Sequence, residues 1–292
     1  MIVSYNIIIL IQLFFLHKCF EGPLNYNEQT EWPGVCSKGK YQSPINLPLK
    51  EDCEHSQDII KITSINYIPI NDRKINFSHH YTYTIDASSN GNITILLNNK
   101  IYVYELNNIH FHLNSEHTVN EKLYQMEMHM VHILSKENKV DDPDEVNKYL
   151  VIGIIFTVNN NANDNVFISK VNFDTQNEIK GLDPSYFVKK ENFYYYHGGL
   201  TTPGCDEKVN WIVMGDIYDL SQKQFEDFEN YVSKEYPNGN NRNIQPINGR
   251  LIYYIQEKKI NTTLAWLLFI LSKLLIVSTF FLFFHKFSKL FL

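Results

Sequence analysis

The sequence has no excess of positive charge. Its 292 residues carry 26 Lys and Arg against 32 Asp and Glu, which gives a net charge of −6, and no long basic run is present. A protein that binds nucleic acid usually presents a basic patch to the phosphates. The composition therefore argues against a nucleic-acid partner.

Internal repeats and low-complexity linkers are also missing over most of the chain. Hydrophobic residues make up 44% of the sequence and charged residues 20%, a balance that supplies a buried core and differs from that of disordered chains. Since no break separates two cores, we expect one large domain over residues 22–256.

A secretory signal peptide is predicted over residues 1–21. The apolar run from Ile7 to Leu16, interrupted only by Gln12, is too short to cross a bilayer and is typical of such a signal. The alternative is a buried N-terminal strand or helix.

A second apolar segment, residues 264–284, is long enough for a transmembrane helix, and lysines follow it as expected on a cytoplasmic side. Lys273 near its centre opposes insertion by about 2.5 to 3.5 kcal/mol. A removable tail that directs a lipid anchor is the alternative, with residues 261–263 as attachment sites. Either way, we expect the domain outside the cell or in a secretory lumen, tethered at its C-terminus. The end of the chain then comprises a stalk at 257–263, the helix at 264–284 and a tail at 285–292.

Cysteine is scarce, with four in the chain. Cys19 would leave with the signal, and the other three would remain where disulfides persist: Cys36, Cys53 and Cys205. Three cysteines cannot all pair within one chain. Glycosylation sequons begin at Asn76, Asn92 and Asn261.

Short segments rich in β-branched and aromatic residues recur between turn signals, which predicts a mainly β protein. The predicted strands are Lys61 to Ile70, His80 to Ala87, Asn92 to Leu97, Lys100 to Glu105, Asn108 to Asn114, Leu123 to Leu134, Tyr149 to Val158, Phe193 to His197 and Val209 to Asp216. Helical periodicity is limited to Ser221 to Tyr236, where Ser221 can cap the helix, and more weakly to Asp164 to Phe173. The polar segment Ser135 to Lys148 is predicted to be an exposed connection.

Three histidines have the spacing of a metal site. Residues i and i+2 of a strand share a face, so His110 and His112 project side by side. On the next strand, a face of methionines alternates with a face that carries His129. If the methionine face is core, His129 joins the first pair, whereas His132 falls on the opposite face and is structural.

Three imidazoles leave the fourth tetrahedral position of Zn²⁺ open for water, which is typical of a catalytic site. The pKa of the bound water then falls to near neutrality. Metal-bound imidazoles need an acceptor at their other nitrogen, and polar residues close in sequence can supply one. The candidates are Asn108, Glu116, His117 and Glu127.

The motifs around these histidines closely resemble those of the α-class carbonic anhydrases. The matching runs are His110-Phe-His-Leu-Asn-Ser-Glu-His-Thr-Val119, Glu127-Met-His-Met-Val-His132, Gly198-Gly-Leu-Thr-Thr-Pro-Gly-Cys-Asp-Glu207 with Val209-Asn-Trp-Ile-Val213, Gln42-Ser-Pro-Ile-Asn46 and Asn241-Arg-Asn-Ile-Gln-Pro-Ile-Asn-Gly-Arg250. The resemblance covers residues 22 to 256. It implies a single-domain fold with a large, twisted, mostly antiparallel sheet and short peripheral helices.

The resemblance also implies the reaction, which is reversible hydration of CO₂ to bicarbonate and a proton by zinc hydroxide. By the match, His110, His112 and His129 are the zinc ligands. Thr201 orients the hydroxide, and Glu116 accepts a hydrogen bond from Thr201. The residues that resemble the substrate pocket are Val131, Val151, Leu200, Thr202, Val209 and Trp211.

Two further features follow from the resemblance. The segment Ile75 to Tyr81 matches a stretch where many members carry a proton-shuttle histidine, and we select His79, with His80 as the alternative. Extracellular members pair cysteines at positions that match Cys36 and Cys205. Cys53 is then left over, either free or joining two chains in a disulfide-linked dimer.

The chain departs from the family pattern in places. The family's Trp-x-Tyr near the mature start matches His17 to Phe20 here, so the tyrosine that usually contacts this network is expected to be missing.

Two functions compete with the enzyme. A non-catalytic surface-binding domain would lack ligands that are present here, and a zinc peptidase would show H-E-x-x-H on a helix, which this sequence does not contain.

Overall fold

The computed structural model describes residues 24–55, 59–77, 82–138, 146–171, 173 and 178–256, together with 266, 269–273 and 279. The chain divides into two units, Met1–Gln256 and Glu257–Leu292. The first unit ends at Gln256, the residue at which the predicted domain also ends.

Strands dominate the described part of the first unit. They are β1 (Asn46–Leu47), β2 (Ile60–Tyr67), β3 (Ile75–Phe77), β4 (Tyr83–Asp86), β5 (Gly91–Leu97), β6 (Lys100–Leu113), β7 (Thr118–Val119), β8 (Met126–Leu134), β9 (Tyr149–Val158), β10 (Phe193–Gly198), β11 (Val209–Leu220) and β12 (Tyr253–Ile255). Ten of them form one sheet. Eight of these follow the order β12-β10-β11-β9-β8-β6-β4-β3, while β5 pairs with β6 and β2 pairs with β5.

The large sheet is mostly antiparallel, with β9 and β11 as a parallel pair. A separate two-stranded parallel sheet joins β1 to β7. This architecture confirms the predicted fold class.

Strand β6 pairs with three other strands of the sheet. Its first half pairs with β5 and its second half with β4, while β8 runs along its other edge. The sequence predicted two strands here, but the structure has one. The register against β8 shifts between Leu106 and Asn108, so Asn107 is an extra residue in the strand. The polar pair Asn107 and Asn108 therefore marks a bulge and not a turn.

The two faces of β8 separate core from site. Met126, Met128 and Met130 are fully buried in the larger of two apolar clusters. On the other side, a smaller cluster contains Val151 and Trp211. The methionine face is thus core, which was the condition under which His129 joins the first pair, and His129 faces the other way.

Helices are short and few in the described region. They are α1 (Val35–Lys38), α2 (Val166–Val171) and α3 (Gln222–Val232), with 3₁₀ turns at Gln29–Glu31, Lys50–Asp52 and Pro184–Phe187. Helix α3 begins as predicted, because the Ser221 hydroxyl accepts a hydrogen bond from the Gln224 N–H. It ends at Val232, four residues before the predicted end at Tyr236.

Cys36 and Cys205 form a disulfide across a sequence separation of 169 residues. A disulfide is typical of an oxidising compartment. Closing so long a loop removes much conformational freedom from the unfolded chain.

We expect the double variant Cys36→Ser, Cys205→Ser to lose about 2 to 5 kcal/mol of unfolding free energy. Urea titrations of the oxidised domain and of the variant measure the difference, and Cys53→Ser is the control for loss of a thiol. Equal denaturation midpoints for the wild type and the double variant would contradict the expectation.

Cys53 is a free cysteine that lies buried. Its thiol contacts the carbonyl of Leu49 at 3.5 Å. Burial, followed by the charges of Asp52 and Glu51, raises the pKa of the Cys53 thiol to about 11. The reactive thiolate is therefore scarce near pH 7. These observations do not favour a disulfide-linked dimer through Cys53, which stays a prediction.

The described residues of the second unit, 266, 269–273 and 279, are helical. In the part of the chain that the structure describes, no helix combines the length and apolar character that a membrane crossing requires. The predicted helix at 264–284 lies mostly outside the described residues, as do the signal peptide, the stalk and the tail.

Candidate metal centre

Pairing between β6 and β8 brings the three predicted histidines together. His110 lies directly opposite His129 in the register, and His112 lies two residues further along the same face of β6. The ring centroids of His110 and His112 are 5.1 Å apart, those of His110 and His129 5.2 Å, and those of His112 and His129 4.7 Å. One ring nitrogen from each histidine lies within 4.8 Å of the other two.

One nitrogen of each ring has an oxygen acceptor. Nδ1 of His110 lies 2.9 Å from Oδ1 of Asn108, and Nδ1 of His112 lies 2.9 Å from the carbonyl oxygen of Asn240. On the third ring it is Nε2 of His129 that lies 2.9 Å from Oε1 of Glu127. These acceptors hold the ring protons at those positions. The lone pairs then belong to Nε2 of His110, Nε2 of His112 and Nδ1 of His129.

The donor set fits a metal ion. Nε2 of His112 is buried and finds no hydrogen-bond partner among the described residues. Burial lowers the pKa of His112, so its ring is neutral near pH 7 and can donate a lone pair. An orphaned buried nitrogen beside two other imidazoles is the arrangement that a three-histidine zinc site requires.

Glu127 lies on the same face of β8 as His129 and accepts hydrogen bonds from the residues around it. Its Oε2 accepts the backbone N–H groups of Glu116 and His117, each at 2.8 Å. Its Oε1 accepts from Nδ1 of His117 at 2.7 Å as well as from His129. Burial alone would raise the pKa of Glu127, but electrostatic attraction to His117 and His129 and the hydrogen bonds from them hold that pKa well below its usual range.

Gly153 leaves room for this carboxylate. It lies opposite His129 on β9, and a Cβ at this position would come within 2.8 Å of Oε1 of Glu127. That oxygen is held by two histidines, so it cannot easily move aside. No sequence pattern had identified Gly153.

A series of buried hydrogen bonds continues from Glu127 through His117. Nε2 of His117 lies 2.7 Å from the hydroxyl of Tyr196, which donates to Oγ of Ser43 at 2.9 Å. Ser43 in turn accepts the backbone N–H of Gly199 at 3.2 Å. These bonds use both nitrogens of His117, which accounts for the second cluster of possible ligands formed by His117, Glu127 and His129.

Glu116 lies beside the rings without hydrogen-bonding them: its Oε1 is 3.6 Å from Nδ1 of His112, and its Oε2 is 3.8 Å from Nδ1 of His129. Its Oε1 accepts the backbone N–H of Arg242 at 2.8 Å, whereas Oε2 is buried with no hydrogen-bond partner in the described part of the chain. Tyr26 lies nearby, with its ring against Trp32 and Tyr236. Burial, followed by the charge of Glu116, raises the pKa of Tyr26 well above its usual value. The hydroxyl of Tyr26 is buried and has no hydrogen-bond partner among the described residues, so the expectation about a tyrosine in this network stays a prediction.

Thr201 sits on a loop anchored at several points. Nε1 of Trp211 donates to the carbonyl of Gly199 at 3.0 Å, and the N–H of Leu200 donates to the backbone carbonyl of Asp206 at 3.0 Å. The disulfide of Cys205 holds the far end of the loop. Thr201 is 5% exposed and faces the cavity beside the histidines.

The cavity above the histidines has a volume of about 500 Å³ and two chemically different walls. The apolar wall contains Val131, Val151, Leu200 and Trp211, and Thr202 also lines the cavity as predicted. The polar wall consists of Asn76, Thr82, Thr84, Asp86, Ser88, Asn107 and Asn108. Val209 is not among the described residues that line it, and its side chain is fully buried in the same apolar cluster as Trp211.

His132 takes no part in the centre. Its Nε2 lies 2.7 Å from the hydroxyl of Tyr67 and its Nδ1 lies 3.1 Å from the carbonyl of Leu150, on the other face of β8. His79 and His80, proposed for proton transfer, lie outside the described residues.

Comparisons with known proteins agree with this architecture. The model of the eukaryotic-type carbonic anhydrase family matches residues 26–256. A carbonic anhydrase of Neisseria gonorrhoeae is 28% identical over 80% of this chain and 84% of its own. Dioscorin dioA3 of Dioscorea japonica is 30% identical over 82% of this chain and 84% of its own. A carbonic anhydrase of Chlamydomonas reinhardtii, solved in complex with acetazolamide, is 25% identical with a TM-score of 0.60, over 80% of this chain and 98% of that chain.

Proposed function

The chain belongs to the eukaryotic-type carbonic anhydrase family, and we propose that it catalyses the reversible hydration of CO₂ to bicarbonate and a proton with a zinc ion held by His110, His112 and His129. The observation that carries the proposal is the buried, unpartnered Nε2 of His112 among three imidazoles whose other nitrogens are all held by acceptors. Zinc at such a site lowers the pKa of a coordinated water to about 7, which supplies a nucleophile at neutral pH.

The chain's own side chains supply binding and orientation. The apolar wall of Val131, Val151, Leu200 and Trp211 holds CO₂, which has no net charge or dipole, beside the histidines. The Thr201 hydroxyl can accept a hydrogen bond from the attacking water and donate its own proton to Glu116. The unsatisfied Oε2 of Glu116 supports this arrangement, since a buried carboxylate oxygen needs a donor.

A stopped-flow hydration assay tests the proposal. Purified domain is stripped with a chelator and reloaded with zinc, and CO₂ hydration is followed with a pH indicator. We expect activity to fall with the chelator and return in proportion to bound zinc, up to one ion per chain. If the zinc-loaded domain hydrates CO₂ no faster than the stripped domain, the proposed reaction is wrong.

Thr201→Ala is expected to lower kcat/KM by about 100-fold, the cost of a misaligned reacting group. Zinc content should stay at the wild-type level, because Thr201 contacts none of the three histidines through a hydrogen bond. Thr201→Ser is the matched control, since it keeps the hydroxyl and should recover most of the activity. Equal activity of the alanine and serine variants would show that the hydroxyl has no orienting role.

A non-catalytic binding domain on the same fold is the second candidate. The similarity to Dioscorin dioA3 favours considering it, because that relative is not named as a carbonic anhydrase. The complete histidine set favours the enzyme. The hydration assay distinguishes the two, since a binding domain can hold zinc without accelerating hydration.

We also propose that the domain works outside the cell or in a secretory lumen, tethered by residues 264–284. The Cys36–Cys205 disulfide supports the compartment, and the apolar composition of the segment supports the tether. Mass spectrometry of the mature C-terminus tests the tether. Residues 264–284 remain if they span a membrane and are absent if a lipid anchor replaced them.

A further inference from the structure

Asn107 is a cavity residue to which neither the spacing of the histidines nor the family resemblance gave a role. It is the extra residue of the bulge in β6. In a regular strand, two consecutive side chains point to opposite faces. The bulge breaks that alternation, and Asn107 and Asn108 both line the cavity with His110.

The three side chains form a hydrogen-bonded series. Nδ2 of Asn108 donates to Oδ1 of Asn107 at 2.9 Å. Oδ1 of Asn108 lies 2.9 Å from Nδ1 of His110. The amide of Asn108 is thus held at both ends, with its nitrogen toward Asn107 and its oxygen toward His110.

The direction of this amide determines which nitrogen of His110 can bind metal. With the amide oxygen against Nδ1, the ring proton stays on Nδ1 and the lone pair stays on Nε2. If the amide turns over, its NH₂ group faces Nδ1 and favours the other tautomer, whose Nε2 carries the proton and cannot bind a metal. While Oδ1 of Asn107 faces Asn108, it opposes that turn, because an amide oxygen can accept only from the NH₂ end.

We propose that Asn107 is a positioning residue for the metal centre, which fixes the amide of Asn108 and through it the metal-binding tautomer of His110. The proposal rests on the proposed function, because His110 must be a zinc ligand. The other two histidines do not depend on such a series, since His112 is held by a backbone carbonyl and His129 by a carboxylate.

Zinc dissociation from the loaded domain, measured by transfer to an excess of a chromogenic chelator, tests the proposal. Loss of a direct partner of a metal ligand costs about 10- to 100-fold in metal affinity, so we expect Asn108→Ala to fall in that range. Asn107→Leu, which has similar size and no acceptor, should dissociate about three- to tenfold faster than the wild type because it acts one step further out. Asn107→Asp keeps an acceptor oxygen and should remain near the wild-type rate.

A double-mutant cycle separates this role from a general effect on the fold. If Asn107 acts through Asn108, then Asn107→Leu has no further effect in the Asn108→Ala background. Asn76→Leu is the matched control, since Asn76 lines the same cavity but its amide donates to the carbonyl of Lys74. It should leave zinc dissociation unchanged.

Hydrogen exchange of the ring N–H groups, followed by NMR in the zinc-loaded domain, supplies a second measurement. Asn107→Leu should accelerate exchange at Nδ1 of His110 and leave exchange at Nδ1 of His112 unchanged. Wild-type dissociation and exchange in a zinc-binding Asn107→Leu variant would overturn the role of Asn107. Failure of the wild type to bind zinc would instead overturn the proposed function.

Discussion

Replacing His129 with alanine is expected to abolish stoichiometric zinc binding and CO₂ hydration together. The ring contributes one of three convergent nitrogens, and its loss leaves two ligands on a single strand. The zinc affinity should fall by more than the roughly 10- to 100-fold that loss of a supporting residue costs. Zinc content after dialysis and the stopped-flow rate measure the two effects on the same sample.

Two controls show whether the effect is specific to this histidine. His55→Ala removes an exposed histidine and should retain one zinc per chain. His132→Gln removes a buried histidine from the same strand but from the opposite face, so it should also retain zinc even if the domain becomes less stable. Zinc loss in His132→Gln with retention in His129→Ala would reverse the assignment of the third ligand.

The convergence of the three histidines was predictable because strand geometry is simple. An alternation of two places His110 beside His112 and separates His129 from His132, whatever the rest of the fold does. The methionines of β8 indicated which face of that strand is buried, since a face of three methionines is apolar enough to be core. The opposite face, which carries His129, was then the one that could join His110 and His112. The register that sets His110 opposite His129 required the structure, because it depends on pairing across a turn.

The partners of the ligands were only partly predictable. Asn108 and Glu127 lie two residues from the histidines they hold, so spacing identified them. His112 is held by the carbonyl of Asn240, and a backbone carbonyl has no sequence signature. The bulge at Asn107 and the space at Gly153 depend on how neighbouring strands approach each other, which single-strand patterns do not encode.

The cavity shows a similar division between what the sequence predicts and what only the structure gives. The resemblance identified most of the apolar wall but also included Val209, which is buried and is not among the described residues that line the cavity. Most of the polar wall was not predicted. Asn108 was a candidate partner for a histidine, but the other residues lie on β3, on and beside β4, and at the bulge in β6.

Glu127→Gln is expected to lower zinc affinity by about 10- to 100-fold, the range for loss of a ligand's partner. The carboxylate accepts four hydrogen bonds, two from backbone N–H groups and two from imidazoles. An amide can accept on one oxygen only. If that oxygen stays with the backbone N–H groups, the NH₂ group of the glutamine faces Nε2 of His129. That ring nitrogen must then accept a hydrogen bond. The ring proton moves to Nδ1, the nitrogen that the metal needs.

The same substitution should also destabilise the domain, by about 1 to 3 kcal/mol, because buried donors are left without acceptors. Glu127→Ala removes every acceptor from a site built around a buried charge and should cost about 3 to 5 kcal/mol. Urea titration of the zinc-free proteins measures these losses apart from metal binding. Glu229→Gln, on the exposed face of α3, is the control for removal of one negative charge and should change neither property.

Gly153→Ala offers a milder disturbance of the same contact. The added methyl group meets Oε1 of Glu127 and should displace it from His129 without removing its charge. Zinc should therefore dissociate faster than in the wild type, but less so than in Glu127→Gln, while the stability loss stays smaller than that of Glu127→Ala. If Glu127→Gln bound zinc as tightly as the wild type, the carboxylate would have no part in selecting the tautomer of His129. Its four hydrogen bonds would then serve only to hold the turn at Glu116 and His117 against β8.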